Sequence, residues 1–157
     1  MAISGSFDSD DKVVWKDAIV KISVDGGSTY AAITTWSNMV TFTRGTYSVE
    51  TEPLLDGSKL RSVGNLGPGR LAVTCVYDEE TTGPWKNLND VFIAGSALDD
   101  VYVTVSRDTA ATSFLYTTVN PVLVACSFPA IDANNTMAGK FTLEIECDDM
   151  TQSLVGT

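Results

Sequence analysis

Among 157 residues there is no histidine. Without an imidazole there is no Ser-His-Asp arrangement, no side chain with an ordinary pKa near neutrality, and no usual ligand set for zinc. Cysteine is scarce as well. Cys75, Cys126 and Cys147 fit no C-x-x-C spacing and each sits in an apolar, strand-like run, which predicts buried free thiols in a reducing compartment. Positive charge is short: 10 Lys and Arg face 20 Asp and Glu, for a formal charge of -10. That balance disfavours nonspecific attraction to nucleic-acid phosphates, and no basic stripe reverses it. No apolar run approaches the roughly eighteen residues that span a bilayer, and MAISGSFDSDD at the start has neither the basic nor the apolar region of an export signal. These absences predict a protein made in a cytoplasm, with no cofactor, no metal, no membrane insertion and no specific hold on DNA.

What is present is ample material for one core. With 44% hydrophobic and 19% charged residues, the chain reads as a single domain over 1–157. Residues 1–12, with Asp8, Asp10 and Asp11 among Ser and Gly, predict a flexible N-terminal arm. An apolar pattern over 18–24 and the turn DGGS at 25–28 predict a hairpin returning over 29–36. Further strands are expected at 40–44, 70–77, 101–106, 113–119, 122–128 and 140–147. In 70–77, Leu71, Val73, Cys75 and Tyr77 alternate with Arg70, Ala72, Thr74 and Val76, a period of two with one strongly apolar face. In 140–147, Phe141, Leu143, Ile145 and Cys147 face in while Lys140, Thr142, Glu144 and Glu146 face out. Asn120-Pro121 splits or bends the neighbouring run, because proline cannot donate to a central ladder. One helix is expected, from Pro84 to about Ala97, with Trp85, Leu88, Val91, Phe92 and Leu98 on its apolar face as core residues. Residues 149–157 read as a polar C-terminal tail.

Two strand-like runs bracket an unusual insertion. Between VTFTR at 40–44 and RLAVTCVY at 70–77 lies TRGTYSVETEPLLDGSKL, whereas a hairpin needs only two to five loop residues. The arm, 44–62, carries Arg44, Glu50, Glu52, Asp56, Lys59 and Arg61. Tyr47 and Val49 alternate with Ser48 and Glu50, and Asp56-Gly57 is a turn signal, so the arm reads as two strand extensions with a turn at its tip. Leu54 and Leu55 at that tip are hard to explain in a monomer.

Catalytic readings fail one by one. GNLGPG at 64–69 precedes a strand and has the wrong spacing for a dinucleotide fingerprint. DSDDK at 8–12 puts Lys12 where a calcium loop needs an oxygen, and DANNTM at 132–137 puts Met137 where the loop needs glycine. Asn134-Asn135-Thr136 fits a glycosylation sequon but reads as a polar turn. Glu144 and Glu146 share a strand face and are better read as solvated than as a glycosidase pair. The chain is therefore not expected to be an enzyme.

The order of a strand, a long charged arm, a strand, a helix opened by proline and three C-terminal strands resembles the major tail tube protein of long-tailed (siphovirus-like) bacteriophages. The resemblance is carried by VTFTRGTYSVETE, KLRSVGNLGPGRLAVTCVYDEE and GPWKNLNDVFIAG and spans about 18–148. It implies a mainly β fold, a two-sheet β-sandwich with one flanking α-helix and the arm as a long charged hairpin. It further implies hexameric rings stacked into a hollow tube in the virion tail, assembled in the host cytoplasm. Tape measure and tail terminator proteins would be partners, and DNA would pass through the lumen without specific binding. On this resemblance Arg44, Glu50, Glu52, Leu54, Leu55, Asp56, Lys59 and Arg61 become subunit-interface candidates. Glu144, Glu146, Glu50 and Glu52 become candidates for acidic residues facing the lumen. The alternative is a virion decoration or adhesion module binding a receptor or glycan, with Trp36 near a loop as a stacking platform.

Overall fold

The structure, a computed structural model, describes residues 15–129 and 139–155. The chain runs through β1 (Ile19–Ser23), β2 (Ala31–Ala32), β3 (Ser37–Thr43), β4 (Tyr47–Pro53), β5 (Lys59–Leu66) and β6 (Gly69–Val76) to α1 (Pro84–Ala94). It continues through β7 (Tyr102–Ser106), β8 (Phe114–Val119), β9 (Val122–Cys126), β10 (Lys140–Cys147) and β11 (Asp149–Leu154). The N-terminal arm predicted over 1–12 and the DANNTM stretch lie outside the described residues.

The strands with the plainest alternation set the middle of the fold. β6 buries Leu71, Val73 and Cys75, and β10 buries Phe141, Leu143, Ile145 and Cys147. The two pair antiparallel from Lys140 opposite Val76 to Cys147 opposite Gly69. Flanked by β3 and β9 they make a four-stranded sheet in the order β3-β6-β10-β9. A second sheet, ordered β11-β8-β7-β1-β2, contributes Val20, Ile22, Val103 and Val105 to the same core. This is the expected sandwich, and β4 pairs with β5 apart from both sheets.

Two corners carry the chain between the layers. Asn120 takes a left-handed conformation, φ 47°, ahead of Pro121, so β8 ends in the five-stranded sheet and β9 starts in the other. Asp148 lies between β10 and β11 at a second crossing. The Asn120 side chain donates to the Asp148 carboxylate at 2.6 Å, and the Asp148 N–H donates to the Val119 carbonyl at 3.0 Å. The crossings are thus tied together.

α1 begins at Pro84, where a missing N–H costs nothing, and buries Trp85 and Leu88. The Trp85 ring meets Tyr77, Phe128 and Phe141 edge-on, with centroids 5.8, 5.5 and 5.2 Å away. It wedges the helix over the end of the four-stranded sheet where β6 finishes and β10 begins.

Several boundaries differ from the sequence reading: the arm expected over 44–62 pairs as far as Leu66, the strand expected over 40–44 begins at Ser37, and that expected over 122–128 ends at Cys126. The helix stops at Ala94 because Gly95 adopts φ 66° and its N–H caps the Val91 carbonyl at 3.1 Å; Leu98 reaches the core from a short 3-10 turn, Leu98–Asp100. The strand expected over 29–36 shrinks to Ala31–Ala32, because the Asp25 carboxylate accepts the N–H groups of Ser28 and Thr29 and holds a loop instead of a ladder. The predicted polar tail is a strand over most of its length: β11 pairs with β8 from Asp149 opposite Val119 to Leu154 opposite Phe114. Its middle residues are exposed and polar while Met150 packs on the core, so it shows no apolar alternation to the eye.

Candidate subunit-assembly site

No cluster of three or more metal-ligating side chains occurs among the described residues. All three thiols are free, and burial pushes Cys75 and Cys126 up to about 11 and raises Cys147. The features left to explain are geometric: an arm, an open sheet face and the unpaired outer strands of that sheet.

Every residue of β4 and β5 is exposed. Tyr47 pairs with Leu66, Val49 with Val63, Thr51 with Arg61 and Pro53 with Lys59, so one face of the hairpin is apolar near its base and cationic near its tip. Glu50 opposite Ser62 and Glu52 opposite Leu60 occupy the other face. Among the described residues no ion pair joins Glu50, Glu52, Lys59 or Arg61 to another charge.

The tip is a closed turn. The Leu54 N–H donates to the Ser58 carbonyl at 2.8 Å and the Gly57 N–H to the Leu54 carbonyl at 3.0 Å, with Gly57 at φ 83°. Ser58 donates both its hydroxyl, at 2.6 Å, and its N–H, at 2.9 Å, to the Asp56 carboxylate, holding that group below the usual carboxylate range. Leu54 is half-exposed and Leu55 is fully exposed.

At the neck, the ladder of β3 and β6 ends with Thr43 opposite Arg70 and resumes with Tyr47 opposite Leu66. The two chain segments cross so closely that a Cβ on Gly45 would run into the Gly67 carbonyl. Arg44, an interface candidate, donates its Nε–H to Asp149 of its own chain at 3.1 Å and fastens the neck to the start of β11. The other interface candidates lie along the arm, clear of the sandwich.

The outer face of the four-stranded sheet is uncovered by any described element. Glu144 and Glu146 stand on it, as the alternation predicts, and the Arg70 guanidinium lies 3.3 Å from the first and 3.8 Å from the second. Thr74 and Thr142 exchange a hydrogen bond at 3.1 Å beside them, and Lys140 reaches Asn38 at 3.4 Å. Two acids and two bases leave this face without net charge, so it is not the acidic wall that reading the glutamates alone suggests. Arg70 was legible in the same alternation, one residue before Leu71. Glu50 and Glu52 belong to the separate hairpin and not to this face. Trp36, the candidate sugar platform, is half-buried against the core.

β3 and β9 are the outer strands of this sheet, and no described strand pairs with their far sides. Bare edges present rows of N–H and C=O groups to any strand that approaches.

No protein-family model matches the sequence, and no curated protein does. Solved structures do match in fold. A chain of the sheath-tube complex of an extracellular contractile injection system (PVC) in its extended state superposes with a TM-score of 0.68 at 13% identity, over 94% of this chain and 95% of that one. A chain of the anti-feeding prophage (AFP) baseplate, 6-fold symmetrised, gives 0.61 at 14% identity over 100% of both chains. The SPP1 tail tube gives 0.62 at 8% identity over 91% of this chain and 80% of that one. The fold is that of tail-tube proteins. Neighbours from contractile injection systems stand beside the SPP1 tail tube, so the likeness does not single out long-tailed phages.

Proposed function

We propose that this protein is a structural subunit that polymerises as stacked hexameric rings into the hollow tail tube of a bacteriophage, through which DNA is delivered. The observation that carries the reading is the four-stranded sheet with one face sealed by the core, the other open, and both outer strands unpaired by any described strand. Setting β3 of one copy against β9 of the next pairs both outer strands of this sheet when the ring closes. Six such sheets, at about 4.8 Å per strand, make a wall about 115 Å around and about 37 Å across before strand tilt widens it. A tail-tube fold shared with a 6-fold symmetrised assembly supports the ring size.

In this arrangement the open face lines the lumen. Duplex DNA carries one negative charge per about 1.7 Å of axis and is held by surfaces that release its counterions. A wall on which Arg70 and Lys140 are matched by Glu144 and Glu146 has no net positive charge to offer, and the duplex slides. The arm, with Glu50, Glu52, Asp56, Lys59 and Arg61, reaches the adjacent ring. Tape measure and terminator proteins meet the tube inside and at its end, the tube assembles in the host cytoplasm, and the role is non-enzymatic. The decoration or adhesion reading is the weaker one, because Trp36 is half-buried against the core.

Negative-stain microscopy of the concentrated, purified protein tests the proposal. Rings or hollow tubes are expected; a monodisperse monomer at every concentration and salt overturns it.

A further inference from the structure

We propose that a small pocket on the outward face of the five-stranded sheet is an anchor for one glutamate side chain of a partner polypeptide, held at its carboxylate by Lys21. The pocket lies on the sheet that does not form the proposed tube wall, so the inference goes beyond the tube reading and does not depend on it.

The pocket, of about 230 Å³, is floored by two rows of side chains that run across three strands. In one row Lys21 of β1 stands opposite Thr104 of β7, which stands opposite Thr117 of β8. In the next row Ile19, Ser106 and Leu115 are aligned the same way. Val20, Val103 and Val105 between them belong to the core, so strand alternation turns both rows away from it. The rows differ in kind: the first offers an ammonium and two hydroxyls, the second two aliphatic side chains around a hydroxyl.

Hydroxyls on the outer face of a sheet are ordinarily wet, and two of these are not. Thr104 is 6% exposed and Ser106 is 4% exposed, and neither hydroxyl is bonded to another described residue. Tyr30, Asp108, Thr109 and Val155 stand around them as the pocket's sides. Those sides are already fixed. The Asp25 carboxylate accepts the N–H groups of Ser28 and Thr29 at 3.1 and 2.9 Å, ahead of Tyr30. Asp108 accepts the Ala110 N–H at 2.8 Å, and the Val155 N–H donates to the Ser113 carbonyl at 3.0 Å. A pocket held this way loses little conformational freedom when it binds.

Charge selects the ligand. The Lys21 ammonium has no ion pair among the described residues, whereas the Asp108 carboxylate is engaged by Arg107 at 2.9 Å. One positive charge is therefore unmatched. A neutral ligand leaves it so, and a phosphate dianion brings one negative charge too many beside Asp108. A carboxylate balances it, with the hydroxyls of Thr104, Ser106 and Thr117 as donors to its oxygens. Ile19, Leu115 and Val155 call for an aliphatic stem behind that carboxylate. At about 30 Å³ per water the pocket holds about eight waters, room for one side chain and not for a peptide backbone. An exposed lysine by itself holds a carboxylate weakly; unpartnered hydroxyls withdrawn from bulk water beside it add directional contacts that a flat surface lacks. In the proposed tube this face looks away from the lumen, so the partner runs along the outside.

Saturation-transfer-difference NMR on the full chain reads weak ligands on a monomer and on a tube alike. The probes are glutamate blocked as its N-acetyl N-methylamide, the glutamine counterpart, and butyrate. Blocked glutamate is expected to take up saturation at its side-chain CH2 groups, and blocked glutamine to bind at least about tenfold more weakly. Lys21→Gln, at an exposed position, and Thr104→Val, which keeps the side-chain shape, are each expected to weaken glutamate binding about tenfold with an unchanged circular dichroism spectrum. If Thr104→Val unfolds the chain, Lys21→Gln decides alone. No binding of blocked glutamate, equal binding of glutamate and glutamine, or full binding by Lys21→Gln overturns the assignment. Butyrate binding without blocked glutamate gives the pocket to a free small acid and overturns the partner. None of these outcomes bears on whether rings or tubes form, which microscopy reads separately.

Discussion

Replacing Trp85 with alanine removes the wedge that holds α1 on the sandwich. Trp85 is 8% exposed and meets three aromatic rings edge-on with centroids between 5.2 and 5.8 Å. Truncating a buried tryptophan costs about 3 to 5 kcal/mol, transfer and cavity contributions together. Phe141 is fully buried opposite Cys75 at the start of β10, whereas Phe128 is largely exposed and free to shift, so the middle of the range applies, about 4 kcal/mol. With a urea m-value of about 2 kcal/mol/M, the midpoint falls by about 2 M. Circular dichroism against urea reads this directly, with Leu55→Ala as comparison. Leu55 is fully exposed, so its loss leaves the monomer within about 0.5 kcal/mol of the parent. A Trp85→Ala midpoint within about 0.5 M of the parent refutes the wedge.

The thiols are expected to be nearly inert in the native state. With Cys75 and Cys126 pushed up to about 11 by burial, about one thiol in a thousand is ionised at pH 8. Ellman's reagent therefore reacts slowly until denaturant is added, and immediate labelling contradicts the burial. Asp25 accepts hydrogen bonds from the Ser23 hydroxyl, the Thr29 hydroxyl and N–H and the Ser28 N–H, and its pKa falls to about 2. A depressed folded pKa stabilises above the unfolded value of about 3.9 and loses that contribution as pH falls through about 2. Asp25→Asn is expected to lower the thermal midpoint at pH 7 and to match the parent near pH 2; an equal penalty at both pH values sinks the assignment. Gly45→Ala is expected to force the neck apart, leaving the far-ultraviolet spectrum of the sandwich intact while hydrogen exchange in 47–66 rises. Unchanged exchange there argues against the close crossing at Gly67.

What the sequence disclosed follows from where periodicity survives. β6 and β10 show clean alternation because one face is sealed and the other bears Arg70, Thr74, Glu144 and Glu146. The arm was legible as a hairpin because Asp56-Gly57 has one structural use, a turn with positive φ. β11 was not legible, since an edge strand with Thr151, Gln152 and Ser153 exposed satisfies its backbone without an apolar face. The loop over 25–30 also escaped, because a side chain, Asp25, and not the backbone pattern, decides where the hairpin ladder stops. Charge on the open face needed the partner strand: Glu144 and Glu146 point to acidity until Arg70, distant in sequence, is placed beside them.

The central claim is that the four-stranded sheet closes edge to edge into the wall of a tube. A cryo-electron microscopy reconstruction of assembled protein, resolved well enough to trace strands, tests it most directly. The account predicts a six-fold ring with β3 of each copy paired to β9 of its neighbour and with Arg70, Glu144 and Glu146 facing the lumen. A ring lined by the five-stranded sheet, or one in which β3 and β9 stay unpaired, contradicts it.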